Sequence, residues 1–245
     1  MTTQYTILPQ FYDILNADVN YEEYIDFIKS VTELQNKKVL DLGCGTGDMS
    51  ILLFKEGADV VALDKSSEML SLASHKADEK KARVFFTAQD MTSFSTGHSY
   101  DLIISTFDSL NYITSKAGLV KAFNCVSNEL SDDGIFLFDM NSEYKFENIY
   151  SDNAYVLESG NVFCAWENYY DKSKKLCDFY INIFVNENGV YKRYYETQIE
   201  RMFTFKEISL SLNKAGLKLI NAYSDYEKNP ISTNTERYYI IAKKI

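Results

Sequence analysis

The sequence predicts an α/β chain, a doubly wound sheet of seven strands with a small antiparallel β-sheet inserted before its last third is complete. Three observations predict it. An apolar run at residues 39–42 breaks into Gly43-Cys44-Gly45-Thr46-Gly47, and helical apolar spacing resumes at Met49; a strand, a glycine turn and a helix in that order bring bare backbone to a ligand at a sheet's edge. Between residues 39 and 141 β-prone runs alternate with helical ones, which implies parallel pairing. From 153 to 202 the helical period vanishes and aromatic segments alternate around Asn188-Gly189, a strong hairpin signal.

In chain order, Tyr21, Tyr24, Ile25 and Ile28 recur at helical spacing, so two helices are expected before residue 35, placed to cap the pocket. Strands are expected at 39–42, 59–64, 84–87, 100–105 and 134–139, and helices at 48–56, 66–79 and 116–130. The inserted sheet is read from segments 161–170, 176–185 and 190–201, with turns at 171–173 and 186–189. Thr204 and Glu207 form a capping box for a helix that ends at Gly216, and strands at 217–226 and 236–243 complete the seven. The expected organisation is one domain from residues 1–145 and 203–245, with 146–202 as a cover inserted into it.

Composition bounds the rest. A chain of 245 residues, 46% hydrophobic, can bury one sizeable core. The start Met1-Thr2-Thr3-Gln4 has no basic leader pattern and no long apolar segment follows, so a cytoplasmic protein without membrane contact is expected. Cys44, Cys125, Cys164 and Cys177 lack metal or redox spacing and are read as reduced thiols; no metal is expected. The net charge of −10 and the short basic clusters argue against a nucleic-acid partner and for a small neutral or cationic one; Tyr191 to Tyr195 read as a solvated hairpin edge. Oligomeric state is left open.

The glycine turn also selects a cofactor. A dinucleotide fingerprint would set its third glycine where Asp48 stands, and a carboxylate at a helix start repels a pyrophosphate. A phosphate-free cofactor with a cationic amino group, which Asp41 would suit, fits better. S-adenosylmethionine has both properties.

The run Val39 to Gly47 resembles motif I of the class I S-adenosylmethionine-dependent methyltransferases, and the likeness continues in register through Asp64 to Leu70, Gln89-Asp90-Met91, and the strands at 100–105 and 134–139. Phe11-Tyr12-Asp13, Asp108-Ser109-Leu110-Asn111-Tyr112, Trp166-Glu167-Asn168 and Glu200-Arg201 are similar to a group of small bacterial methyltransferases of unassigned substrate, except that Phe11 directly precedes Tyr12. The resemblance implies a Rossmann-like methyltransferase sheet. It implies cofactor contacts from Asp41, Gly43, Cys44, Gly45, Gly47, Asp64 (ribose), Lys65, Met69, Asp90 (adenine amine), Met91 and Thr106, with S-adenosylhomocysteine as product.

Methyl transfer from a sulfonium is a direct displacement, so the protein has to align the nucleophile, exclude water and keep the acceptor unprotonated. His75 and His98 are expected on the surface, which disfavours His-driven O-methylation. Tyr12, Asp108 and Asp139 are the candidate catalytic groups, and Asn111, Asn141, Trp166, Tyr169 and Arg201 the candidate acceptor contacts; for Asp108 and Asn111 a helix-capping role stands beside the functional one. The expected acceptor is a small molecule, an amine among the candidates. The sequence lacks the Asn-Pro-Pro-Tyr or Asp-Pro-Pro-Tyr form used on base amines and the Pro-Cys nucleophile of C5-pyrimidine chemistry. An NAD-type oxidoreductase, lacking its third glycine here, and a non-catalytic cofactor-binding partner are the alternatives.

Overall fold

Four helices start on a side chain that accepts a free N–H of the first turn. Asn20 accepts from Glu23 at 3.4 Å, Ser66 from Met69 at 3.1 Å, Ser115 from Gly118 at 3.0 Å and Thr204 from Glu207 at 3.1 Å, with Glu207 returning the bond to Thr204 N–H. The computed structural model describes residues 7–245; the leader reading of Met1 to Gln4 falls outside the described residues. The helices are α1 (Pro9–Leu15), α2 (Tyr21–Lys29), α3 (Asp48–Lys55), α4 (Ser67–Glu79), α5 (Lys116–Glu129) and α6 (Phe205–Lys214).

Seven strands form the main sheet: β1 (Lys38–Leu42), β2 (Asp59–Asp64), β3 (Val84–Ala88), β4 (Tyr100–Ser105), β5 (Leu130–Asn141), β10 (Leu217–Tyr223) and β11 (Arg237–Lys244). Their order is β10-β11-β5-β4-β1-β2-β3, all neighbours parallel except β11, which runs antiparallel to both β5 and β10. Both faces are covered, which is why β1 and β4 are mostly apolar, with Asp41 of β1 buried among its neighbours. Leu119, Phe123 and Val126 of α5 pack with Ile208 and Leu212 of α6 on one face; Tyr24, Phe27 and Ile28 of α2 pack with Met49 and Leu53 of α3 on the other. The order in which strands are added reverses between the parallel neighbours β1 and β4, and in such folds that crevice at the strands' carboxyl ends is the ligand position.

The inserted sheet has four strands, β6 (Ala154–Ser159), β7 (Val162–Asp171), β8 (Leu176–Glu187) and β9 (Val190–Arg201), in antiparallel sequence order. Three were expected. β6 escaped the pattern because it is an edge strand whose alternate residues are exposed. Phe146, Cys164, Cys177, Phe179 and Ile181 build a separate core under this sheet, and Leu8, just before α1, and Phe11 of α1 belong to that core. Glu196 of β9 fixes the arrangement by accepting the N–H groups of Ile7 and Leu8 at 2.9 and 3.0 Å. β10 stops at Tyr223, short of the expected 226, because the Asp225 carboxylate turns the chain by accepting from Asn229 N and Nδ2 at 3.1 and 2.9 Å. All four cysteines are free, and no helix among the described residues is long and apolar enough to cross a membrane.

Candidate active site

β1 hands the chain to the glycine turn, where the Leu63 carbonyl accepts from Gly43 N and Cys44 N at 2.8 and 3.0 Å. Gly43, Gly45 and Gly47 all have left-handed φ (+73°, +53° and +82°), but for different reasons. A Cβ on Gly43 would stand 2.9 Å from Ser109 Cβ, and one on Gly47 2.9 Å from Ala73 Cβ, so these two are glycine to let the protein pack. A Cβ on Gly45 would meet nothing within 4 Å. That open side faces a cavity of about 1230 Å³, within reach of a cofactor and a small acceptor together.

One wall of the cavity is the cofactor end. Asp64, at the tip of β2, accepts Gly45 N–H at 3.0 Å and Ser66 N–H at 2.8 Å; burial raises its pKa against those bonds. Met69 and Met91 line the same wall, as do Lys65 and Asp90, paired at 2.9 Å. Burial would raise the Asp90 pKa, yet hydrogen bonds from Thr92 and Lys65 hold it at about 2. Cys44 and Thr106 line a small recess beside the turn, with Tyr12 and Tyr21 above it. Asp41 is off the wall: fully buried, it accepts from Ser50 Oγ at 2.5 Å, and burial pushes its carboxyl up to about 7.

The acceptor end begins after β4. Phe107 and Asp108 are consecutive left-handed residues without being glycine, a conformation that costs about 1–3 kcal/mol each unless the surroundings impose it. Asp139 of β5 imposes it. Fully buried, its carboxylate accepts from Phe107 N at 2.7 Å, Asp108 N at 2.8 Å, Tyr24 OH at 2.8 Å and Arg237 Nη1. Arg237 Nη2 then reaches Asp108 Oδ1 at 2.6 Å. Asp108 and Arg237 line the cavity; Asp139 stands behind them with its lone pairs taken, which makes it a positioning residue.

A 3₁₀ turn at Ser109–Tyr112 then joins the two ends. Ser109 Oγ lies 3.2 Å from the Gly43 carbonyl, while Asn111 Nδ2 donates to the Arg201 carbonyl at 2.9 Å and Tyr112 OH to Gln198 Oε1 at 2.7 Å. Thus one turn touches the glycine loop and stitches β9 beside it. Asn111 also accepts Asn141 N–H at 3.0 Å; both asparagines are fully buried joints and line neither the cavity nor the recess.

Of the remaining expected residues, Tyr12 lines both the recess and the cavity, with burial raising its pKa, so it serves as a hydroxyl and not a phenolate. Trp166 lines the cavity with its Nε1 buried and unpartnered. Tyr169 is 54% exposed and away from it. Arg201 stacks over Phe203 at 5.2 Å and donates to the Lys174 carbonyl at 3.0 Å, also off the wall. Gln198, Tyr150 and Arg237, which no sequence motif marked as site residues, are on the wall, as is Glu200, the neighbour of Arg201 in its motif. The signal for two of them was present: Glu196, Gln198 and Glu200 recur every second residue on β9, so they share one face, and Arg201 takes the other. His75 pairs with exposed Glu79, and His98 is exposed.

Fold, glycine turn and strand-end acids define a cofactor-binding α/β enzyme of the methyl-transferring kind. Residues 39–134 match the model of a methyltransferase domain family. A solved S-adenosylmethionine-dependent methyltransferase from Clostridium acetobutylicum is 32% identical with TM-score 0.87, the match covering 96% of each chain. The YqeM protein of Bacillus subtilis, named as a methyltransferase, is 29% identical over 95% of this chain and 94% of its own. CalS10 of Micromonospora echinaspora, an amino pentose methyltransferase solved with S-adenosylmethionine bound, shares the fold at TM-score 0.75 and 17% identity, over 100% of this chain and 99% of that one. The chain belongs to the S-adenosylmethionine-dependent methyltransferases. Its cofactor is S-adenosylmethionine and its product S-adenosylhomocysteine.

Proposed function

We propose that the protein methylates an amine of a small molecule. S-adenosylmethionine supplies a methyl on a sulfonium sulfur, which departs as S-adenosylhomocysteine. Gly45, Asp64, Asp90, Met69, Met91, Cys44 and Thr106 would hold it: the bare Gly45 face admits its backbone-close approach, and the two acids stand at the ends of the strand units that follow. Tyr12 and Tyr21 close over the recess and exclude water.

The observation that carries the amine reading is the charge of the acceptor wall. Its guanidinium, Arg237, faces two carboxylates, Asp108 at 2.6 Å and Asp139, and Lys145 acts on Asp108 and Glu200, so once Glu200 is ionised the acids outnumber the bases there by one. Surplus negative charge in a half-closed cavity draws a cation and discourages an anionic acceptor. The aromatic lining from Trp166, Tyr150 and Phe179 offers apolar walls with polar tips, which suits a molecule and not a polymer. CalS10, which acts on an amino pentose, supports the same acceptor chemistry. The test is a screen of amines, phenols, thiols and carboxylates with labelled S-adenosylmethionine, in which the methyl is expected on nitrogen. A methyl found on oxygen or sulfur alone would overturn the proposal. The domain division at 145/146 and 202/203, by the same reading, separates cofactor holding from acceptor choice, with α1 lying against the insertion.

A further inference from the structure

Resting on that reading, we infer that Glu200 is the carboxyl that receives the acceptor's amine and takes its proton, and that the acceptor is a hydroxylated amine. Glu200 reaches the site because the 3₁₀ turn at Ser109–Tyr112 bonds to β9 on both sides of it, through Gln198 and the Arg201 carbonyl, while resting on Gly43. The carboxyl therefore lines the same cavity as Gly43 and Gly45. Of the wall's acids, Asp64 is held by backbone N–H groups, Glu68 by the hydroxyls of Ser66 and Ser67, Asp90 by Lys65 and Asp108 by Arg237. Glu200, 3% exposed, has one hydrogen bond, from Asn141 Nδ2 at 3.2 Å, against the several that a carboxylate can accept. Its remaining capacity opens on the cavity.

The proton step balances simply. An N–H bond of the ammonium breaks with its electron pair staying on nitrogen, an O–H bond forms on Glu200, and the nitrogen lone pair is free for the methyl. Glu200 keeps that proton when the methylated product departs, so the one proton released per turnover is the one expelled as the amine binds. Burial and the neighbouring Asp108 push the Glu200 pKa well above the ordinary carboxylate range, while Asn141, Lys145 and Arg237 oppose that shift; Tyr150 and Cys177 complete the groups facing it. A cation arriving beside this acid expels its proton, so amine binding at neutral pH releases a proton to solvent.

The hydroxylated character comes from the surrounding polar atoms. Trp166 Nε1 is a buried donor on the cavity wall without a partner, and a buried group of that kind marks an expected ligand contact or water. Tyr12, Tyr112, Gln198 and Thr197 add hydroxyl and amide tips along the same cavity.

The experiment loads the full chain with S-adenosylhomocysteine and titrates it calorimetrically with D-glucosamine, D-galactosamine and D-mannosamine, each against its parent hexose, in two buffers of different ionisation enthalpy. The inference expects amino sugars to bind more tightly than the parents with release of a proton. It expects Glu200→Gln to weaken them about tenfold or more and abolish the release, with S-adenosylhomocysteine affinity kept within about twofold as the check on folding. Glu200→Asp should restore part of the proton release. Equal amine binding and unchanged proton release in Glu200→Gln would overturn the role of Glu200 and leave the amine reading standing. No preference for any amino sugar over its hexose would overturn the hydroxylated-amine acceptor itself.

Discussion

The cofactor end and the acceptor end of the cavity are built on opposite plans. At the glycine turn the ligand surface is backbone, shaped by φ angles that glycine tolerates and fixed by bonds such as Asp64 to Gly45 N–H. At the acceptor end it is side chains, delivered by strands of the insertion and by a strained Phe107-Asp108 pair that Asp139 and Arg237 hold. The first plan has few sequence solutions; the second has many. Family members can therefore keep one cofactor while the acceptor wall drifts.

The comparison breaks most severely at Asp139. Replacing it by Asn strands Arg237 and leaves the left-handed pair unsupported, and should cost about 3–5 kcal/mol, read in a denaturant melt. Gly47→Ala comes next. Its Cβ would meet Ala73 Cβ at 2.9 Å with φ at +82°, so about 2–4 kcal/mol of stability should go. Gly45→Ala sharpens the contrast: with open space around it, the cost to folding should be only about 1–2 kcal/mol, while affinity for S-adenosylhomocysteine falls more than stability does. Asp64→Ala should weaken the cofactor by about 1–3 kcal/mol in calorimetry with little change in amine preference.

Asp41 adds a pH signature to the cofactor end. Its folded carboxyl titrates near 7 against 3.8 when unfolded, so the native state binds the extra proton between those values. Stability should fall as pH rises from about 4 and level off above about 7, and Asp41→Asn should flatten that slope in melts taken across the range. The smallest effect belongs to the hairpin at Asn188-Gly189. Its neighbours Val190 and Tyr191 are 70% and 59% exposed and no residue there lines the cavity, so trimming it should change stability by about 0.5 kcal/mol or less and leave S-adenosylhomocysteine affinity alone.

The same contrast explains what the sequence disclosed. The glycine turn, the strand-end acids and the capping box of Thr204 and Glu207 are local signals, each requiring particular residue types within a few positions, and the main sheet follows from their order. Arg237 carried no local signal, since its partners lie 129 and 98 residues earlier in the chain. Asn111, Asn141 and Asp139 have the composition of a polar site and are buried joints instead, a distinction that depends on where neighbouring strands end. Glu200 and Arg201 were adjacent choices, and the two-residue period of β9 decides between them once the strand's buried face is known. Tyr169 fails by the same rule, standing one residue from buried Asn168 on the outer face.

The separability of the two ends is most directly tested by S-adenosylhomocysteine titration of the wild type, Gly45→Ala and Glu200→Gln at equal concentration. Gly45→Ala should lose most of the affinity while Glu200→Gln keeps it within about twofold. An equal loss in both would mean that Glu200 belongs to the cofactor's site and that the two halves of the cavity are one.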